Sequence, residues 1–262
     1  MVAHAIRLVS WAALAFLLLP LVVLVGASLT ATSYLAFPPQ GLTLAWYGQM
    51  LGDPSYVSAF ATSTVLAAVA TLVAVLFAVS AALAIARYSF PGRRPLSEIL
   101  MSPLILPHVV LGAALLQYGS AIGLVRSFSA LLVGHVVIIL PFVLRTVLPQ
   151  LTEDQRSLEE ASADLGGRPL TTFFLVTLPQ IRSGLVSGAI FAFISSWINV
   201  ELSIFNTTAE LTTIPVKLFN YVQYTIDPTI AAVSGLTVVV AAVVIVLLDL
   251  TIGLDVLSER RR

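Results

Sequence analysis

The chain contains no cysteine, so disulfides, thiolate chemistry and Cys-based metal sites are excluded, and no redox compartment can be read from it. Charge is also scarce. Only 10% of the residues are charged, with 13 basic and 13 acidic side chains giving a formal net charge of zero. A nucleic-acid binder would need a basic patch outside the apolar regions, and none is present. Enzyme signatures are missing as well: there is no His-Glu-x-x-His, no Gly-x-Ser-x-Gly elbow and no intramembrane carboxylate pair. Nor is there a Walker-type phosphate loop, so this chain cannot hydrolyse ATP itself. What fills the space is apolar: 58% of the 262 residues are hydrophobic and the mean hydropathy is +1.01. A water-soluble core of this size could not bury that much apolar surface, so most of the chain must be solvated by lipid.

Crossing about 30 Å of hydrocarbon takes roughly 20 apolar residues as a helix, which satisfies its own backbone hydrogen bonds. Six stretches reach that length, at residues 8–29, 57–86, 99–118, 127–144, 184–205 and 230–248. The expected fold is an all-α polytopic membrane protein, a single transmembrane domain over residues 1–262. The first stretch follows Arg7 and also suits a signal peptide. Its length and the poor cleavage site Val25-Gly26-Ala27 favour a retained anchor. Lysine and arginine set the orientation, because short cytoplasmic loops carry the positive excess. With the N-terminus inside, Arg7, Arg87, Arg93, Arg94, Arg145, Arg156, Arg168, Arg182, Arg260, Arg261 and Arg262 are cytoplasmic, and Arg126 and Lys217 are not: eleven against two. Both termini are therefore expected in the cytoplasm. The terminal Arg260 to Arg262 run reads as a stop-transfer anchor near anionic lipid.

Three connecting segments are long enough to fold. Residues 30–56 carry Pro38-Pro39, Gly41 and Asp53-Pro54 as turn signals, with a short amphipathic helix expected at 42–51. Residues 206–228 lie on the same side, with a short helix expected at 216–224. Of the three segments, residues 145–182 carry most of the ionisable groups, among them Glu153, Asp154, Arg156, Glu159, Glu160, Asp164 and Arg168. Thr152 with Gln155, and Ser157 with Glu160, both have capping-box spacing, so a helix can start at either. Over 158–165 a helix places Leu158, Ala161 and Leu165 on one face, with Glu159 and Ser162 elsewhere. Gly166-Gly167 should end it, one glycine turning left-handed. A second helix is expected from Pro169 through Phe173, Phe174 and Val176 to Leu178-Pro179. A projecting knob results. A merely solvated loop is the plainer reading, but loops of this length with helical signatures and apolar faces are more often functional.

The residues Glu160-Ala161-Ser162, then Gly166, then Val176, Leu178 and Pro179 reproduce the spacing of the Glu-Ala-Ala loop of ABC importer permeases; only Ser162 and Val176 depart from the motif, each by a mild exchange. The chain resembles the type I (MetI-like) permeases, in the spermidine/putrescine branch, over nearly its whole length. The loop lies between the fourth and fifth apolar stretches, and Leu211-Thr212-Thr213-Ile214-Pro215 falls in the last external segment. The resemblance implies a bacterial inner-membrane subunit that works with a second permease, two cytoplasmic ABC ATPases and an external solute-binding protein. It implies no cofactor on this chain, ATP and Mg being bound by the ATPase partner, and no nucleic acid. It also assigns ATPase coupling to Glu160, Ala161, Ser162, Asp164, Gly166, Leu178 and Pro179.

Polar residues inside spans are costly and mark candidate pathways. The fifth stretch offers Ser195, Asn199, Glu201 and Ser203 as substrate-pathway residues. On an unbroken helix Ser195, Asn199 and Ser203 share a face, whereas Glu201 lies roughly 160° from Asn199, so both reach one cavity only if the helix breaks. Helix-to-helix hydrogen bonding explains these polar residues equally well. Where polyamine importers imply adjacent acidic residues the chain has Ile198-Asn199, leaving a polyamine, a zwitterion and an anion open as substrates. His108 and His135 read as hydrogen-bonded packing residues, Pro103, Pro107 and Pro141 interrupt their helices, and Gly112, Gly119, Gly134, Gly184 and Gly188 suit close helix approach. An ion-driven secondary transporter would need internal repeats that the sequence lacks. A membrane scaffold protein would share the hydropathy without purifying alongside an ATPase.

Overall fold

The computed structural model describes residues 2–252, with side chains described at position 4 and from 6 to 240. Eleven α-helices occur among the described residues: α1 (Val2–Ser28), α2 (Ala45–Gly52), α3 (Pro54–Arg87), α4 (Arg93–Met101), α5 (His108–Ala121), α6 (Phe128–Val147), α7 (Glu153–Asp164), α8 (Pro169–Thr172), α9 (Leu178–Trp197), α10 (Ile214–Val222) and α11 (Pro228–Ile252). Four helical stretches are long and apolar enough to cross a membrane, at Ile6–Ser28, Pro54–Arg87, Phe128–Gln150 and Pro169–Trp197. A fifth arises if the pair formed by α4 and α5 counts as one.

The chain divides into two compact units, residues 58–217 and the remainder on either side. In the flanking unit α11 packs on both α1 and α2. The Ser28 and Tyr47 hydroxyls meet at 2.7 Å, and Gly235 of α11 leaves so little room that an added methyl would stand 2.9 Å from the Tyr47 oxygen. Asp227 caps α11 by accepting the Thr229 backbone N–H at 2.9 Å, and its other oxygen accepts the Tyr221 hydroxyl at 2.6 Å. Burial, then the hydrogen bond to Asp227 and its charge, push the Tyr221 phenol up to about 12. The two short helices expected in the long connections are present as α2 and α10.

In the central unit α3 presents Ala70, Ala74, Ala78 and Ala82, all fully buried, at steps of four. That stripe of small side chains lets helix backbones draw close. Against it lies a core that includes Ile138, Ile139, Val143, Leu144 and Val147 from α6 and Ile181 and Ala192 from α9. Helices α6 and α9 form the most extensive pair. Their closeness depends on Gly184 and Gly188: a methyl at Gly188 would meet the Thr146 hydroxyl and stand 2.9 Å from Val143 Cα. Gly112 and Gly134 likewise admit Leu202, with a methyl at Gly134 falling 2.6 Å from Leu202 Cδ2. Gly119 differs from the expectation. It faces Leu124 in its own turn, where its carbonyl accepts the Leu124 N–H at 2.7 Å, and does not admit a neighbouring helix.

Two expected spans are corrected. The stretch 99–118 is not one helix: α4 and a short 3₁₀ turn at Ser102–Leu104 meet α5 at 110°. Pro103 and Pro107 account for this, since each lacks an N–H donor and crowds the preceding turn. The stretch 184–205 is also broken, because α9 ends at Trp197 and a turn precedes a 3₁₀ segment at Ser203–Phe205. The sixth expected stretch corresponds to α11, which runs beyond 248.

Candidate functional site

The knob begins where α6 gives way to a 3₁₀ turn at Leu148–Gln150 and then α7. Of the two helix starts the sequence allows, the one at Thr152 is used, although its side chain makes no capping bond. Glu153 and Asp154 lie in the first turn, where carboxylates complement the unpaired N–H groups and the positive end of the dipole. The far end closes by a Schellman motif: Gly167 N–H bonds Ser162 O and Gly166 N–H bonds Ala163 O, both at 2.9 Å. Gly166 carries a φ of +84°, a conformation glycine adopts at no steric cost.

After Arg168, α8 starts with proline at a position where the missing N–H is not needed. The Ser162 and Thr172 hydroxyls, 2.8 Å apart, tie α8 back to α7. The second helix does not stop at Leu178-Pro179, as the sequence suggests; it continues into α9 through a single π turn at Phe173–Thr177. In that wide turn Leu178 N–H reaches Phe173 O, five residues back. Pro179 then falls in the first turn of α9, and the wide turn removes the clash that would otherwise break the helix.

The adjacent glutamates Glu159 and Glu160 point to different neighbours. Glu160 is exposed and pairs with Arg156 one turn away at 3.0 Å. Glu159 turns inward and takes three bonds: from Arg87 Nε at 2.8 Å, Arg87 Nη2 at 3.1 Å and Thr177 Oγ1 at 2.9 Å. Arg87 Nη1 also reaches the Leu151 and Thr152 carbonyls, each at 3.3 Å. No sequence signal points to this arrangement: from the sequence Arg87 is only a positive charge at a helix end, and Glu159 one acid among several.

Of the residues assigned to coupling, Glu160, Ala161, Asp164, Gly166 and Pro179 are exposed, while Ser162 and Leu178 are half-buried. Leu158, Ala161, Leu165, Leu175, Val176 and Pro179 line a shallow groove on the knob. Ser162 shares that groove, contrary to its expected position off the face. Leu165 is 91% exposed and Leu175 72%, an unusual cost for large apolar side chains at the tip of a structured loop.

The second cluster forms at the break after Trp197, where that indole donates to the Thr64 hydroxyl at 3.3 Å and tilts against the Phe60 ring. Asn199 is buried and stitches the turn: its Oδ1 accepts Leu202 N–H at 3.0 Å and its carbonyl accepts the Ser203 hydroxyl at 2.9 Å. The common face expected for Ser195, Asn199 and Ser203 therefore does not exist, since the last two lie beyond the helix end. His135 of α6 holds both sides of the break, with Nδ1 2.7 Å from Ser196 Oγ and Nε2 2.9 Å from Ser203 Oγ. The Ser203 proton is committed to Asn199 O, so Nε2–H must donate to Ser203, and Nδ1 accepts from Ser196.

His108, at the start of α5, stands 3.4 Å from the Asn199 amide nitrogen and 3.9 Å from Glu201 Oε2. The break thus brings Asn199 and Glu201 together around His108, which from the sequence is expected only to pack. Glu201 keeps 59% of its side chain exposed. Ser195 is half-buried, on the α9 side of the break. Among the described residues, no group of three or more His, Cys, Asp or Glu could hold a metal ion.

Residues 74–262 match the family described as binding-protein-dependent transport system inner membrane component. The putrescine transport system permease protein PotI of Escherichia coli (strain K12) is 32% identical over 238 residues, covering 88% of this chain and 84% of the relative. The spermidine/putrescine transport system permease protein PotC of Haemophilus influenzae is 27% identical, covering 90% of this chain and 91% of its own. Among solved structures, a chain of a bacterial ABC transporter involved in import of the acidic polysaccharide alginate superposes with a TM-score of 0.72 at 16% identity, covering 95% of both chains. With the broken fifth stretch and the knobbed loop in place, the chain belongs to the binding-protein-dependent transport system inner membrane components, as a permease subunit of an ABC importer.

Proposed function

We propose that the knob formed by α7, α8 and the π turn seats its apolar groove in a cleft of a cytoplasmic ATPase, and that the turn after Trp197 lines the path of a small amine-bearing solute. The observation that carries the first part is the exposed apolar groove on a rigid, capped support, with Leu165 at its tip. A stiff element transmits rigid-body motion, whereas a flexible loop absorbs it. ATP-driven closure of two ATPase subunits draws two such knobs together and converts the paired permeases from inward-facing to outward-facing, where an external binding protein delivers solute. In this arrangement the chain makes six crossings with the termini and the knob in the cytoplasm, supported by the distribution of arginine.

The amine preference rests on Glu201, an open carboxylate beside the Asn199 amide, and on the two relatives named for putrescine and spermidine. Because the chain has no cysteine, Leu165→Cys introduces a single thiol. That thiol should crosslink to the ATPase in the assembled complex, and Gly166→Pro or Glu160→Arg should abolish uptake while the chain remains inserted. Normal ATP-coupled uptake by those two variants would remove the coupling role. For the solute, Glu201→Gln should raise the KM for diamine uptake about tenfold, a loss of about 1.4 kcal/mol; an unchanged KM would discard the amine preference.

A further inference from the structure

We infer that Arg87, Glu159 and Thr177 form a transmission clamp: positioning residues that pass the displacement of α7 into α3 and α9, distinct from the exposed groove that meets the ATPase. The inference rests on the coupling role proposed above and assigns residues outside the motif that suggested it. Helix α7 has no buried residue, and the apolar side chains of Leu158 and, at its C-cap, Leu165 stay exposed, so apolar burial adds little to its hold on the central unit. Apart from the Ser162–Thr172 hydroxyl bond to the adjacent α8, its side-chain bonds to other helices and to the π turn converge on one carboxylate. Glu159 accepts from Nε and Nη2 along one edge of the Arg87 guanidinium and from the Thr177 hydroxyl, while the third guanidinium nitrogen holds the two carbonyls just before α7.

The chemistry suits a stiff joint. A bidentate guanidinium and carboxylate pair fixes direction as well as distance, which a lysine would not. Only 11% of the Arg87 side chain and 18% of the Glu159 side chain are exposed, so water does not compete as it does around the neighbouring pair of Arg156 and Glu160, at 45% and 65%. The joint also spans three separate segments. Arg87 is the last residue of α3, Glu159 lies in the middle of α7, and Thr177 ends the π turn that leads into α9. A pull on the knob therefore reaches two long apolar helices through one carboxylate, instead of dissipating in the connections at either end of α7.

The test uses the complete importer with its ATPase and binding protein in proteoliposomes, reading solute uptake and ATP hydrolysis in parallel. Arg87→Glu and Glu159→Arg should each lower solute moved per ATP at least tenfold while ATPase subunits still co-purify with the permease. The double exchange should recover at least fivefold over either single variant. Thr177→Val, which removes one hydrogen bond at constant shape, should lower the ratio about twofold and leave the amount inserted unchanged. Wild-type ratios in the single variants would overturn the inference, as would uptake and hydrolysis falling in equal proportion or a double exchange no better than the singles. A wild-type complex whose hydrolysis ignores the binding protein would instead count against the coupling role itself, which separates the two failures.

Discussion

Replacing His135 with leucine tests whether one buried imidazole holds the helix break open. The side chain is 1% exposed and spans the break from Ser196 to Ser203. In His135→Leu the Ser196 hydroxyl loses its acceptor and Ser203 loses a donor, although Ser203 keeps its bond to the Asn199 carbonyl. An unsatisfied buried hydroxyl costs about 1–3 kcal/mol and a lost hydrogen bond about 1, so the total should be about 2–4 kcal/mol. At about 2–4 °C per kcal/mol for a chain of this size, the melting temperature should fall by about 5–15 °C. The assay is the temperature at which the purified complex in detergent loses its monodisperse peak. The double variant His135→Leu with Ser196→Ala supplies the decisive control, because removing both partners of a hydrogen bond is far less costly than stranding one. It should regain about 1–2 kcal/mol, or several degrees, relative to the single variant. A single variant that melts with the wild type, or a double variant that melts lower still, would refute the assignment of donors and acceptors at the break.

Other substitutions separate contact from conformation. Gly188→Val should destabilise by more than about 2 kcal/mol through overpacking against Val143 and Thr146, whereas Gly48→Ala, where an added methyl meets nothing within 4 Å, should gain about 0.5–1 kcal/mol from helix propensity. Thermal melts of the two variants check both signs. Gly166→Ala also has open space around it but a φ of +84°, so it should cost about 1 kcal/mol by backbone strain alone, and Gly166→Asn should cost less in the same melts. For Tyr221, whose phenol is raised from 10.0 to about 12, the folded state holds its proton more tightly than the unfolded one. Its contribution to stability should be complete below pH 10 and lost as pH rises towards 12; in alkaline difference absorbance Tyr221→Phe should remove a late-ionising component.

Much of the architecture was legible because lipid imposes strong rules. Apolar runs located the long helices, and the pair Gly166-Gly167 marked a helix end with one left-handed glycine, which is Gly166. The failures occur where local rules compete. Leu178-Pro179 reads as a stop, but a π turn just upstream absorbs the proline, and such a turn leaves no trace in the periodicity of side chains. Trp197 to Leu202 falls within the fifth apolar stretch, where Asn199 and Glu201 are compatible with either a continuous or a broken helix; the break depends on Asn199 and on a histidine from α6, a pairing of distant residues. The same holds for Arg87 and Glu159, separated by 72 positions. At the fifth stretch the sequence did yield the conditional geometry, that Asn199 and Glu201 meet only across a break. It did not identify His108 as the residue that receives them.

The π turn at Phe173–Thr177 also sets a phase. A wide turn carries one residue more than the regular spiral needs, and each residue of an α-helix advances the azimuth by about 100°. Deleting a single residue there would restore ordinary winding but swing everything upstream, including the exposed Leu170 and the α7 groove, by more than a quarter of a revolution about the α9 axis. The irregularity thus works as a keying device: it aims the protruding end in one compass direction relative to the long helix that supports it.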